Sequence, residues 1–117
     1  MKKIMPIVLG ILMLAGAFGH FLAPEFYAPM IPDFISDVFA NISSGIVELL
    51  IGIALLIPST RKLGGLAFML LMIAFLPLHV WDVVRSDPIM GSAGAAVFRL
   101  LMQFGLIYAG FWIWRSK

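Results

Sequence analysis

Four long apolar stretches, separated by short clusters of charges, prolines and glycines, set the pattern of this chain. Residues 4–24 hold 21 positions without a charged side chain, and residues 63–81 hold 19. Residues 38–58 carry Glu48 as their only charge, and residues 95–114 carry Arg99 together with Gln103. A helix that crosses the ~30 Å hydrocarbon core of a bilayer uses about 20 residues, so each stretch predicts one transmembrane span. The breaks between them contain loop signals: Pro24, Pro29, Pro32 and Asp33 after the first, PSTRK after the second, and RSDPIMGSAG after the third. The predicted architecture is all-α: an integral membrane, up-and-down four-helix bundle that forms a single domain over residues 1–117.

Composition agrees with this pattern and narrows what the chain can do. Hydrophobic residues make up 62% and charged residues 12% of the 117, with a mean hydropathy of +1.08. A soluble domain has about 45–50% apolar and about 25% charged residues. Four spans nearly exhaust these residues, so any chemistry lies within or just above the bilayer, and no independent catalytic activity is expected. The sequence has no cysteine, which excludes a CxxC redox pair and thiolate metal ligation on this chain. A net charge of +2 is too small to argue for nucleic acid.

The placement of the basic residues says more than their sum. Lys2, Lys3, Arg61, Lys62, Arg115 and Lys117 fall on one side of an up-and-down chain, and the opposite loops hold Arg85 and the membrane-edge Arg99. The positive-inside rule then predicts that both termini are cytoplasmic. Glu25, Asp33, Asp37, Asp82 and Asp87 lie on the outer side, and Trp81, Trp112 and Trp114 sit near span ends, where indole rings anchor at the interface.

The candidate chemistry lies in five polar residues inside the spans. At ~1.5 Å of rise per residue, His20, Glu48, His79, Arg99 and Gln103 stand about 18–25 Å above the cytoplasmic charges. All five therefore fall in the outer half of the bilayer, contributed by four different helices. Gly45, Glu48 and Gly52 share one helical face, with glycines that permit close approach. Arg99 and Gln103 are i and i+4, with Gly110 continuing their stripe, and Gly10, Met13, Ala17 and His20 form a face of the first span. His79 and Asp82 lie one turn apart just after Pro77, a predicted kink. These faces predict a polar cluster or pocket formed by His20, Glu48, His79, Arg99 and Gln103, in which Glu48 pairs with Arg99.

Each of these residues also has a purely structural reading. The nine Ile, Val and Leu residues from Ile46 to Ile57, at roughly −0.3 to −0.6 kcal/mol each, offset a central charge of about +2.5 to +3.5 kcal/mol, so insertion alone does not require Glu48 to have a partner. A Glu48–Arg99 ion pair can simply fix helix register, each histidine can sit at the wet interface, and Gln103 can serve as an interhelical hydrogen bond. No metal site is read from the set, because no HxxxH or ExxH pair places two ligands on one helix face. Asn41-Ile42-Ser43 matches a glycosylation triplet by pattern alone. Gly64-Gly65 and the face of Gly105 and Gly110 can pack within the bundle or between copies, which leaves the oligomeric state open.

Three segments carry a family likeness: GHFLAPEFY, then SGIVELLIGIALLIPSTRKLGG, then FRLLMQFGLIYAGFWIW. In this order and spacing, and over nearly the whole chain, they resemble the small bacterial DoxX-like membrane proteins. The resemblance implies a compact four-helix bundle in the bacterial inner (plasma) membrane. The family's relatives include a subunit associated with thiosulfate:quinone oxidoreduction, components of membrane redox complexes, and a distant animal branch that assists receptor assembly. The positions that carry over are Gly19, His20, Phe21 and Pro24; Ser44, Gly45, Glu48, Gly52 and Arg61; and Arg99 and Gln103. The third span departs from the pattern, since those relatives often have Asn near the position of His79. The likeness includes the first apolar stretch, which is therefore read as a retained span, although MKK, the apolar run and Ala15-Gly16-Ala17 also fit a secretory signal.

Fold does not fix function, and three functions are weighed from the sequence. The first is an accessory or assembly subunit of a membrane complex, with the bilayer and membrane protein subunits as partners; small size and the lack of a cofactor signature favour it. The second is a pocket for a quinone-like lipophilic ligand, in which His20, Arg99 and Gln103 donate hydrogen bonds and Glu48 exchanges protons. The third is a small proton-coupled transporter built on Glu48, to which a close arginine is ill suited.

Overall fold

The computed structural model describes residues 3–116, and each of the four apolar stretches forms a helix in it. These are α1 (Ile4–Leu22), α2 (Asp37–Leu56), α3 (Arg61–Val84) and α4 (Ala93–Arg115), with no strand among the described residues. All four are long and apolar enough to cross a membrane. Lys2 and Lys117, which contribute to the orientation argument, lie outside the described residues.

Local chemistry explains where the helices begin and end. A residue that precedes proline is driven out of the helical region, and α1 stops at Leu22, with Ala23 at ψ 58° before Pro24. Two short 3₁₀ turns, Pro24–Phe26 and Ala28–Met30, carry the chain across the end of the bundle. Ser36 caps α2 by accepting from the Phe39 N–H at 3.3 Å, and Ser92 caps α4 by accepting from the Ala95 N–H at 3.1 Å. Gly91 precedes that cap at φ 93°, a conformation that side chains disfavour. α3 stays helical on both sides of Pro77, although the proline removes one backbone donor.

The turn between α2 and α3 closes on itself. The last carbonyls of a helix have no partner within it. Here Arg61 donates to two of them, from Nε to Leu55 O at 2.9 Å and from Nη2 to Leu56 O at 3.1 Å. Thr60 Oγ1 donates to Ala54 O at 2.9 Å.

The helices pack as two hairpins. α1 lies along α2 and α3 along α4, α2 and α3 join the pairs, and α1 and α4 barely meet. Each helix gives one i, i+4 pair to a shared core: Leu9 and Met13, Ile51 and Leu55, Phe68 and Met72, Ala109 and Ile113. This apolar core occupies the half of the bundle nearer the termini. Glycines set the spacing inside each hairpin. A Cβ on Gly52 would stand 3.0 Å from the Gly10 carbonyl oxygen, and one on Gly110 would stand 2.8 Å from Met69 N and 2.9 Å from Gly65 O. Gly64, Gly65 and Gly110 are therefore used within the chain, whereas nothing lies within 4 Å of a Cβ built on Gly105. The outward faces remain apolar, with Ile11, Leu50, Leu63, Leu101 and Tyr108 among their exposed side chains.

Candidate functional site

The half of the bundle away from the termini holds the buried polar residues, in two separate sets. The first set belongs to the α1–α2 hairpin. α2 buries Asn41, Gly45, Glu48, Gly52 and Leu55 along one stripe, facing the α1 stripe that ends in Ala17 and His20. His20 stands between two α2 side chains: its Nε2 is 2.8 Å from Glu48 Oε2 and its Nδ1 is 2.9 Å from Asn41 Oδ1.

Hydrogen-bond roles fix the protons in this chain of contacts. Asn41 Nδ2 donates to Asp37 O at 3.0 Å, so the amide oxygen faces His20 and must receive an N–H from Nδ1. The remaining contact, to Glu48, then holds one proton: either an imidazolium faces a carboxylate, or a neutral imidazole accepts from a carboxylic acid. Both arrangements are neutral as a pair, which removes the cost of an unpaired charge in an apolar setting.

Tyr27 covers this site from the loop. Its ring stacks on His20 at 3.8 Å between centroids and 19° between planes, and its hydroxyl donates to Gly16 O at 3.4 Å. Burial holds the Tyr27 phenol above its ordinary pKa, and the Glu48 carboxylate adds to this. Gly16 leaves room for that carboxylate, because a Cβ there would collide with Glu48 Oε1.

The second set belongs to the α3–α4 hairpin. Gln103 is fully buried, donating from Nε2 to Met72 O at 2.7 Å and accepting at Oε1 from Arg99 Nη1 at 2.9 Å. His79 is buried, with Arg99 and Asp82 as its charged neighbours. Asp82, also buried, accepts from the backbone N–H groups of Ile89 at 2.6 Å and Met90 at 3.3 Å, which pins the loop leading into α4.

The structure therefore brings His20 together with Glu48 and Arg99 together with Gln103, and among the described residues no side-chain hydrogen bond links the two sets. The expected Glu48–Arg99 pair is corrected: the partner of Glu48 is His20. The reason is packing, since α1 covers the Glu48 face of α2 while Arg99 finds an acceptor one turn along its own helix. Asn41, Tyr27 and Asp82 were missing from the expected site. Asn41 is 3% exposed and its amide is engaged, so it is a structural partner of His20 and no glycan acceptor in this fold. Among the described residues, no fully enclosed side-chain nitrogen or oxygen lacks a hydrogen-bond partner.

Two hairpins of long apolar helices, each closed around its own buried polar set, define an all-helical bundle with four membrane-compatible segments. Residues 9–116 match DUF8561, a family described as a domain of unknown function, and the chain belongs to that family. No curated protein and no solved structure matches it.

Proposed function

We propose that this chain is a multi-pass protein of the bacterial inner membrane, with cytoplasmic termini, that serves as an accessory or assembly subunit of a membrane complex. The observation that carries this reading is the internal use of the polar residues. His20, Asn41 and Glu48 tie α1 to α2, while Gln103, bonded to Arg99 on its own helix, ties α4 to Met72 O of α3, which suits a brace better than a shared reaction chamber. The membrane part of the reading rests on four apolar helices and on a longest extent of 44 Å, against ~40–45 Å for a bilayer with its headgroups. The side of the termini follows from the Lys and Arg placement. The DoxX-like resemblance, and with it an association with redox complexes, belongs to the same proposal.

A quinone-like ligand held jointly by the five polar residues has less support, because Glu48 and Arg99 sit in different hairpins, Glu48 bonded to His20 and Arg99 to Gln103. Proton-coupled transport through Glu48 likewise has a histidine bonded to the carboxylate it would load. The test is purification from native membranes in mild detergent after in-cell crosslinking, with mass spectrometry of what is recovered. The proposal expects specific membrane subunits linked to the chain. A chain recovered alone, at its own mass, would overturn it.

A further inference from the structure

A second feature lies outside both polar sets. The α1–α2 loop stands off from the end of α3 and leaves an open groove of about 700 Å³ between them, within the size range of small-ligand sites. On the loop side the groove is lined by Pro29, Pro32 and Asp33, and on the α3 side by Pro77, Trp81 and Arg85. Three of the ten lining residues are prolines, which stiffens the backbone of both walls and lowers the ordering needed when a ligand enters.

The α3 wall is graded along its length. From Pro77 to Arg85 the chain rises about 12 Å, passing from an aliphatic ring to an indole and then to a guanidinium. Apolar, interfacial and charged groups follow one another in the order in which a membrane lipid presents its acyl chain, glycerol region and phosphate. The guanidinium is held in place: its Cζ sits 4.3 Å from the Trp81 ring centroid, and Nη1 donates to Pro29 O at 3.4 Å. Asp33 lies on the facing wall at the exposed rim.

We propose that this groove binds one phospholipid of the outer-facing leaflet whose headgroup carries both a phosphate and an ammonium, as in phosphatidylethanolamine. Arg85 takes the phosphate through its planar donor fork, Asp33 takes the ammonium, and the acyl chain lies along Pro77 and Trp81. The groove carries one cation and one anion, which matches a zwitterionic head better than a purely anionic one. This inference rests on the membrane reading given above.

The test reconstitutes the full chain into vesicles of equal parts phosphatidylethanolamine and phosphatidylglycerol. Flotation and alkaline extraction then report whether the chain is embedded. Native mass spectrometry after mild detergent release reports which lipid stays bound. The site predicts an embedded chain that retains one phosphatidylethanolamine in preference to phosphatidylglycerol. Arg85→Gln should lower that retention about tenfold, and Arg115→Gln at the other end of the bundle should leave it unchanged. Asp33→Asn, on an exposed loop position where folding is not at stake, should shift the preference toward phosphatidylglycerol. An embedded chain that keeps both lipids equally, or keeps phosphatidylethanolamine as well after Arg85→Gln, overturns the site and leaves the membrane reading standing. A chain that does not float with the vesicles overturns the membrane reading and the site with it.

Discussion

His20 Nε2 lies 2.8 Å from Glu48 Oε2, so the last turn of α1 is tied to the middle of α2 by a contact that holds a single proton. Interhelical hydrogen bonds in membranes are worth about 0.6 kcal/mol on average and up to about 1.7 kcal/mol. A double-mutant cycle of His20→Ala and Glu48→Ala, read by unfolding in mixed detergent, should therefore give a coupling of about 1 kcal/mol. The matching cycle of Glu48→Ala and Arg99→Ala should give a coupling near zero. A large second coupling would restore the pairing across the hairpins that the packing argues against.

Gly16 tests the same contact from the opposite side. A methyl group there meets Glu48 Oε1, so Gly16→Ala should destabilise the chain by about 1–3 kcal/mol, the usual cost of overpacking. Combining it with Glu48→Ala, which removes the colliding atom, should recover most of that loss. If the double variant is as unstable as the sum of the two singles, the clash lies elsewhere.

The glycines of α4 divide sharply. Gly110→Ala places a Cβ against the α3 backbone at Met69 and Gly65, and the helices must separate, at a cost of about 1–3 kcal/mol. Gly105→Ala enters open space and should be neutral, or stabilising by up to about 1 kcal/mol through helix propensity. Thermal melts of the two variants in one detergent settle the comparison.

Tyr27 supplies a pH dependence whose sign can be worked out. Its folded pKa is raised above the ordinary value, first by burial and then by Glu48, so the folded chain holds the phenolic proton more tightly than the unfolded chain does. The associated stability is present below a pH of about 10 and is lost as pH rises through the higher folded value. Spectrophotometric titration should show one tyrosine ionising above the ordinary range, and Tyr27→Phe should remove that step. A wild-type titration with no tyrosine step above the ordinary range would contradict the burial of the Tyr27 phenol.

Helix positions were legible because an unbroken run of about 20 apolar residues has few other uses. Buried faces were legible too: Gly45, Glu48 and Gly52, and Gly10, Met13, Ala17 and His20, follow from spacings of three and four. The partner of Glu48 was not legible. Counting residues gives height along the bundle axis and says nothing of the angle around it, so five polar groups at one level read as one cluster although they sit on two hairpins. Asn41 has a usable signal, since it extends the stripe of Gly45 and Glu48 by one turn, whereas the glycosylation triplet that it starts matches by pattern alone. Tyr27 had none, because its contact depends on how a proline-rich loop folds back, and no periodicity encodes that.

The division into hairpins has a consequence for biosynthesis. For a chain that enters the bilayer from its N-terminus, residue 20 leaves the ribosome before residue 48, so Glu48 meets its neutralising partner as soon as the second span emerges. A pairing with Arg99 would instead leave the carboxylate uncompensated until the final span had been made. Because each hairpin carries its own polar partners, a pause in synthesis after Arg61 would leave a first half whose polar contacts are complete and whose apolar face still awaits α3 and α4.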